Sequence, residues 1–291
     1  MNKIDTLLFS GGGLKCISFL GALKYLFETS ILKENFEGIK DIYYVSGSSV
    51  FTLPLLIGYS INASIEIFKN IQYSNIFEEK PFDLNYLLTS YGLRDIDSFK
   101  CIVEIILEKK GIDKNITLKD FYKLTKINTY YKVVNITKGK IEYLNHIDNP
   151  NLSVSLAMMM TCCVPIVFSP IEYNGSSYID GGVTGNFPTE KINKSPNYLG
   201  IDIISTKIEL PEGIHIEDDD GDINIENIQE YIGFIYSILN ISTDQRKSSR
   251  NIKLLIKGTS GINFESYEDN LADLINRGYN QTKGYIKSCS S

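Results

Sequence analysis

The chain has 291 residues, 43% hydrophobic and 22% charged, ordinary values for a globular protein. A net charge of −6 and a sequence pI near 5.1 exclude nucleic acid as the main partner and exclude a polybasic membrane anchor, since both need a basic face. Five cysteines, an odd number with no C-x-x-C spacing, exclude a disulfide framework and a zinc site and predict reduced thiols in a cytosol-like or cytoplasmic compartment.

In chain order, strand and helix signals alternate, which predicts an α/β fold with a largely parallel sheet. The N-terminus, MNKIDTLLFSGGG, lacks the apolar core of a signal peptide. Residues 5–9 (DTLLF) read as a strand, SGGG as a loop, and 14–28 as a helix with one broad apolar face. Residues 41–45 (DIYYV) read as a second strand, followed by a helix to about Ile61. The apolar run from Val50 to Ile61 is too short to span a bilayer, which takes about 20 residues.

Residues 62–125 read as mostly helical, with turns at Lys80-Pro81 and Tyr91-Gly92. A hairpin is predicted over 130–136 and 141–144, around Lys138-Gly139. A buried helix at 153–161 follows, then short strands at Val167–Phe168 and Tyr178–Asp180, and a strand at 199–204. The acidic run EDDDGD at 217–222 reads as a loop; a helix at 225–242, a strand at 252–256 and a helix at 267–287 close the chain.

Three pieces carry chemistry. Ser10-Gly11-Gly12-Gly13-Leu14-Lys15 lies between a strand and a helix. Its glycines let backbone N–H groups face an anion, and the helix N-terminus adds positive partial charge. Neither a P-loop nor a dinucleotide fingerprint can be drawn on it. Gly47-Ser48-Ser49 follows the second strand. It reads either as a nucleophile elbow presenting Ser49 or as a serine-capped helix start. Phe51 stands where the elbow's second glycine belongs, and Pro54 costs the following helix a hydrogen bond. Tyr178-Ile179-Asp180-Gly181-Gly182 delivers an aspartate into a turn, which plain Asp-Gly turn chemistry also explains.

A catalytic serine needs a base. Only His146 and His215 are present, neither in a motif-like context, so a Ser-His-Asp triad lacks support. A Ser–Asp pair remains open, because burial raises a carboxylate pKa toward a useful range.

The order of a GGGxK loop, a G-x-S turn and a D-G-G turn resembles the patatin-like phospholipase family. The flanks match as well. AMMMTCCVPIVFSP at 157–170 is similar to the family's helix and P-x-x-F-x-P segment, and YIDGGVTGNFP at 178–188 to its Y-x-D-G-G-x-x-x-N-x-P block. The hairpin at 130–144 and the closing GYNQTKGYI also sit where the family has comparable segments. The likeness covers nearly the whole chain and is weakest in 62–125 and 205–250.

The resemblance implies one three-layer α/β/α domain over 1–291, with 62–125 a mostly helical insertion or cap. It implies hydrolysis of fatty acyl esters, of the phospholipase A type, by a Ser–Asp dyad without metal or cofactor. Carried over, Ser49 is the nucleophile and Asp180 the base. Gly11, Gly12 and Gly13 supply the oxyanion N–H groups, and Lys15, Gly47, Gly181 and Gly182 complete the motifs. The implied partners are phospholipid or another fatty acyl ester, met in transient contact with a membrane surface.

Cys16 and Phe51 depart from the family's glycines. They motivate the alternative of a catalytically impaired member that binds lipid or a protein partner. Apolar stripes in 82–107 (Phe82, Leu84, Tyr86, Leu87, Leu88; Phe99, Ile102, Val103, Ile105, Ile106) read as core packing or as a lid facing lipid. A calcium-dependent lipase built on EDDDGD is disfavoured, because Ile223 takes the loop's glycine position.

Overall fold

A computed structural model describes residues 3–71, 83–204, 250–256 and 270–290. His215, the acidic run 217–222, the helix expected at 225–242, the Lys80-Pro81 turn, Phe82 and the start of the last predicted helix lie outside the described residues.

The centre is a mixed, mostly parallel sheet. Strand β1 (Thr6–Phe9) pairs in parallel with β2 (Asp41–Val45) and β9 (Tyr198–Ile204). Strand β10 (Asn251–Leu255) extends it beyond β9, and β4 (Asn128–Asn135) beyond β2, again in parallel. Strand β4 then pairs antiparallel with β5 (Lys140–Leu144) and β8 (Ser176–Asp180), and β8 with β7 (Ile171–Tyr173). The order is β10-β9-β1-β2-β4-β8-β7, with β5 on β4.

Strands covered on both faces read as continuous apolar runs. In β1, the alternation of side chains sends Leu7 and Phe9 into the main core and Leu8 to a smaller cluster with Phe187 and Tyr198 on the other face. Each such fully buried side chain contributes about 1.5–3 kcal/mol.

The helix expected from residue 14 opens as a 3-10 turn (Gly13–Ile17) and becomes α1 (Ser18–Glu28). The helix expected to reach Ile61 is two helices. The first, α2 (Ser48–Leu56), stops just before Gly58, whose φ of +85° breaks the helical path. The second, α3 (Ile61–Lys69), starts at Ser60, whose side chain accepts the Ala63 N–H at 3.2 Å. All nine residues of α2 are buried, so it is an interior helix.

The described part of 62–125 is largely helical, with α4 (Leu84–Ser90), α5 (Asp97–Lys109) and α6 (Leu118–Thr125). The turn expected at Tyr91-Gly92 instead leads into strand β3 (Gly92–Arg94), which finds a parallel partner in β6 (Ile166–Phe168). Helix α7 (Val154–Cys162) carries the run of methionines into the core. The last helix, α8 (Leu271–Ser290), packs against α1. Among the described residues no helix is long and apolar enough to cross a membrane.

The α1–α8 crossing depends on two glycines. A Cβ on Gly21 would strike the Ile275 carbonyl, and one on Gly278 the Ser18 carbonyl. Beside them Tyr25 and Tyr279 meet edge to face, with centroids 5.4 Å apart. Alanine is ordinarily better than glycine inside a helix by about 1 kcal/mol. At Gly21 the order should reverse: Gly21→Ala should lower stability by about 1–3 kcal/mol, the usual range for overpacking, read as a lower Tm in a thermal melt.

Candidate active site

Parallel strands β1 and β2 deliver their following loops to the same edge of the sheet, where α/β proteins place ligands. Strand β8 arrives from the opposite direction. Val45 pairs with Lys132 of β4, and Asp180 pairs with Val133 on the other side. Strands β2 and β8 therefore end level with each other across β4, and their next residues face a shared space.

On the β2 side the backbone turns at Ser46. Its φ is +57°, in the left-handed region that a non-glycine residue seldom occupies. Such a residue costs on the order of 1–3 kcal/mol and persists only when its surroundings hold it. Here the Ser46 N–H donates to Thr161 Oγ1 at 3.0 Å, and Thr161 in turn donates to the Lys132 carbonyl at 2.6 Å. The Ser48 hydroxyl donates to the Val45 carbonyl at 2.8 Å, and the Ser49 hydroxyl to the Ser46 carbonyl at 3.0 Å. These two serines satisfy the carbonyls that the strand exposes as it turns into α2.

The glycine loop lies against this turn. A Cβ on Gly47 would sit 2.6 Å from the Gly13 carbonyl oxygen, and one on Gly11 would sit 3.2 Å from Ser46 Cβ. Glycine at both positions permits the close approach. The loop is tied from the far side by Asn186, whose carbonyl accepts the Gly11 N–H at 2.9 Å and whose Nδ2 donates to the Gly11 carbonyl at 2.9 Å. The Ser10 hydroxyl accepts the Ile203 N–H at 2.8 Å, which pins the loop to β9. Among the described residues the N–H groups of Gly12 and Gly13 reach no protein acceptor.

Asp180 ends β8. Its N–H donates to the Cys163 carbonyl at 2.9 Å, and its carboxylate accepts the Gly182 N–H at 2.7 Å. The residue is buried, and burial pushes its pKa up to about 6. The polar side chain of Ser46, the hydrogen bond from the Gly182 N–H and the charge of Lys132 pull in the other direction without cancelling the burial. Cys16, Cys162 and Cys163 lie near the carboxylate. Burial first, then the Asp180 charge, pushes all three thiols up, Cys163 to about 12, so they stay neutral.

The structure thus brings together Asp180, the glycine loop and Ser46, and sets Ser49 in the helix that follows. Ser49 lies in the first turn of α2, fully buried. Its hydroxyl is turned back to the Ser46 carbonyl and toward the Cys162 thiol. The residue at the turn, beside the carboxylate, is three positions earlier. Phe51 needs no special account once Ser46 holds the turn, for it packs in the core with its ring 4.7 Å from Phe68. Ser48 and Tyr44 now take the two places where an elbow usually has glycine.

Lys15 is half-buried in the 3-10 turn, close enough for its charge to lower the Cys16 pKa slightly. Gly181 and Gly182 are buried and carry the chain past Lys132 and Asn186. Sequence reasoning missed Ser46, Thr161, Lys132 and Asn186. One signal was available: a strand predicted to end at Val45 makes Ser46 the turn residue.

Comparison with known proteins agrees with this architecture. A family model for patatin-like phospholipase matches residues 7–191, well over half of the chain. The uncharacterized protein R571 of Acanthamoeba polyphaga mimivirus is 27% identical over 246 residues, 83% of this chain and 78% of that protein. The probable lipid hydrolase 463L of Invertebrate iridescent virus 6 is 29% identical over 191 residues, 64% of this chain and 62% of that protein. Among solved structures, VipD from Legionella pneumophila superposes with a TM-score of 0.59 at 16% identity, covering 98% of this chain and 67% of that one. A structure of full-length ExoU with full-length SpcU from Pseudomonas aeruginosa gives 0.50 at 13% identity, and this chain spans about half (52%) of the length of the chain it matches. At these identities the structural likeness shows the fold, and the family model shows the membership: the chain belongs to the patatin-like phospholipase family.

Proposed function

We propose that the protein is a lipid acyl hydrolase in which Ser46 is the nucleophile and Asp180 its base. The observation that carries this reading is the left-handed Ser46, set on the strand-to-helix turn with its side chain near enough to a buried carboxylate to lower its pKa. Family membership and the name of the iridescent-virus relative support lipid as the substrate class.

In this mechanism Asp180 accepts the Ser46 hydroxyl proton as Oγ attacks the ester carbonyl carbon. The C=O π electrons move to oxygen, and the N–H groups of Gly12 and Gly13 meet the developing oxyanion. One such donor is worth about 3–4 kcal/mol in comparable sites. When the tetrahedral species collapses, the C–O bond of the ester breaks and Asp180 returns the proton to the departing alcohol. Water then repeats the sequence on the acyl-serine, releasing the fatty acid and restoring Ser46. Gly11 keeps the loop close to the elbow, and Lys15, Gly47, Gly181 and Gly182 shape the turns around the pair.

A surface beside the site suits lipid. Helix α4 buries none of its residues, and Leu84 and Leu88 are 56% and 65% exposed. Tyr91 and Ile166 are 72% and 47% exposed and flank the β3–β6 pairing. Ile166 lies three residues after Cys163, whose carbonyl accepts the Asp180 N–H. This cluster is the part of the apolar 82–107 stretch that meets the bilayer in the proposed reading, a transient contact that presents a phospholipid acyl ester to Ser46.

Three results test the proposal. A fluorophosphonate probe should label the wild type and the Ser49→Ala variant but not Ser46→Ala, and Asp180→Asn should lower fatty-acid release about 1,000-fold or more with the circular dichroism spectrum unchanged. Labelling that survives Ser46→Ala and vanishes in Ser49→Ala would return the role to Ser49. The base must be ionised to accept a proton, so kcat/KM should rise tenfold per pH unit up to about 6 and level off above it. Finally, Leu84→Ser with Leu88→Ser should reduce release from phospholipid vesicles about tenfold while sparing a soluble short-chain ester; equal loss on both substrates would make the cluster structural.

A further inference from the structure

Lys132 is a lysine where the fold offers it almost no water: its side chain is 1% exposed, in the middle of β4. Burying an ammonium group is costly unless it is paired. Gly185 and Glu190, both in the segment that follows Asp180, are among its partners. Nζ donates to the Gly185 carbonyl at 2.8 Å and lies 3.6 Å from the Glu190 carboxylate. Gly181 rests directly on the Lys132 backbone and the base of its side chain. Glu190 is itself held by the Tyr143 hydroxyl at 2.6 Å, and the Lys191 ammonium stands over the Tyr143 ring at 3.9 Å. The same lysine contributes the carbonyl that anchors Thr161 and, through it, the Ser46 N–H.

We propose that Lys132 is a positioning residue for the Ser46–Asp180 pair, clamping the segment after Asp180 onto β4 and supplying the buried positive charge that keeps Asp180 an effective base. The inference rests on reading Asp180 as the base. Lys132 reaches no reacting atom; it acts through Asp180. The sheet needs no lysine there, since Tyr131 and Val133 on either side are buried, uncharged residues.

The charges facing the pair set the direction of the effect. Asp180 faces Ser46 from the β2 turn, Cys16 from the 3-10 turn, Cys162 and Cys163 from the end of α7, and Lys132 from β4. The thiols are neutral, and among the described residues Lys132 is the cation whose charge lowers its pKa. Lys132 also faces Glu190, and Glu190 faces Tyr143 and Lys191. Burial raises the Glu190 pKa, but the Lys132 charge and the Tyr143 hydrogen bond outweigh it, so the net shift is downward and Glu190 is an anion that partly cancels Lys132. Removing the cation should therefore raise the Asp180 midpoint, and removing the anion should lower it.

The test uses the full chain with Lys132→Met, Lys132→Arg and Glu190→Gln. Asp180 titration is followed by infrared difference spectroscopy, with the band assigned by its loss in Asp180→Asn, alongside pH profiles of kcat and KM on a soluble ester. Lys132→Met should move the midpoint and the acid limb upward by about 1 unit or more and lower kcat at pH 6 about fivefold or more with KM unchanged. Lys132→Arg should restore most of the wild-type profile, and Glu190→Gln should move the midpoint downward.

A merely structural lysine would not give opposite shifts in the two neutralising variants. Midpoints unmoved in both would overturn the inference. Glu190 is partly exposed, so Glu190→Gln decides the matter alone if Lys132→Met fails to fold. Activity that survives both Ser46→Ala and Asp180→Asn would overturn the dyad instead, and the infrared midpoints would still report whether Lys132 acts on Asp180.

Discussion

The candidate site depends on one backbone constraint, the left-handed conformation of Ser46 at the end of β2. A residue in that conformation cannot continue the strand and cannot begin a regular helix, so its carbonyls and N–H must find partners elsewhere. They do so through hydroxyls. Thr161 takes the Ser46 N–H, while Ser48 and Ser49 take the carbonyls of Val45 and Ser46. Each hydroxyl is buried, and together they hold the side chain of Ser46 toward Asp180. The serine-rich run after the strand is the means of building the turn.

The surroundings of Asp180 are low in dielectric by composition. Three neutral thiols lie near enough to feel its charge, and α7 carries methionines buried in the core. A carboxylate in such a place is pushed upward in pKa, and the site retains some ionisation only because Ser46, Gly182 and Lys132 oppose that push. In the proposed mechanism this is what lets a base work without histidine. The imidazole of a triad titrates near neutrality unaided; here burial moves an aspartate partway there. Cys16, in a place where the family's loop usually has glycine, is one of these thiols and packs beneath Gly12.

Much of the fold was readable from residue pattern. Short apolar runs bounded by glycine or serine marked β1, β2 and β9, and turn chemistry at Lys138-Gly139 marked the β4–β5 hairpin. Strands β3 and β7 were not, since three-residue strands carry no period and exist only where a partner strand meets them. The division of the helix at Gly58 was also hidden, because an apolar run does not reveal where the path bends.

By itself, the sequence determined the order of three motifs that marks the patatin-like family: a glycine loop, a serine cluster after a strand, and an aspartate before two glycines. It did not determine which serine serves. Ser46, Ser48 and Ser49 have the same side chain within four residues, and the G-x-S spacing pointed to Ser49. Tertiary structure supplies the ground on which Ser46 is proposed, because strand β4 sets β2 and β8 level and Ser46 is the turn residue beside the carboxylate. The physical reason is that sequence spacing records distance along the chain, whereas proton transfer depends on distance across the sheet.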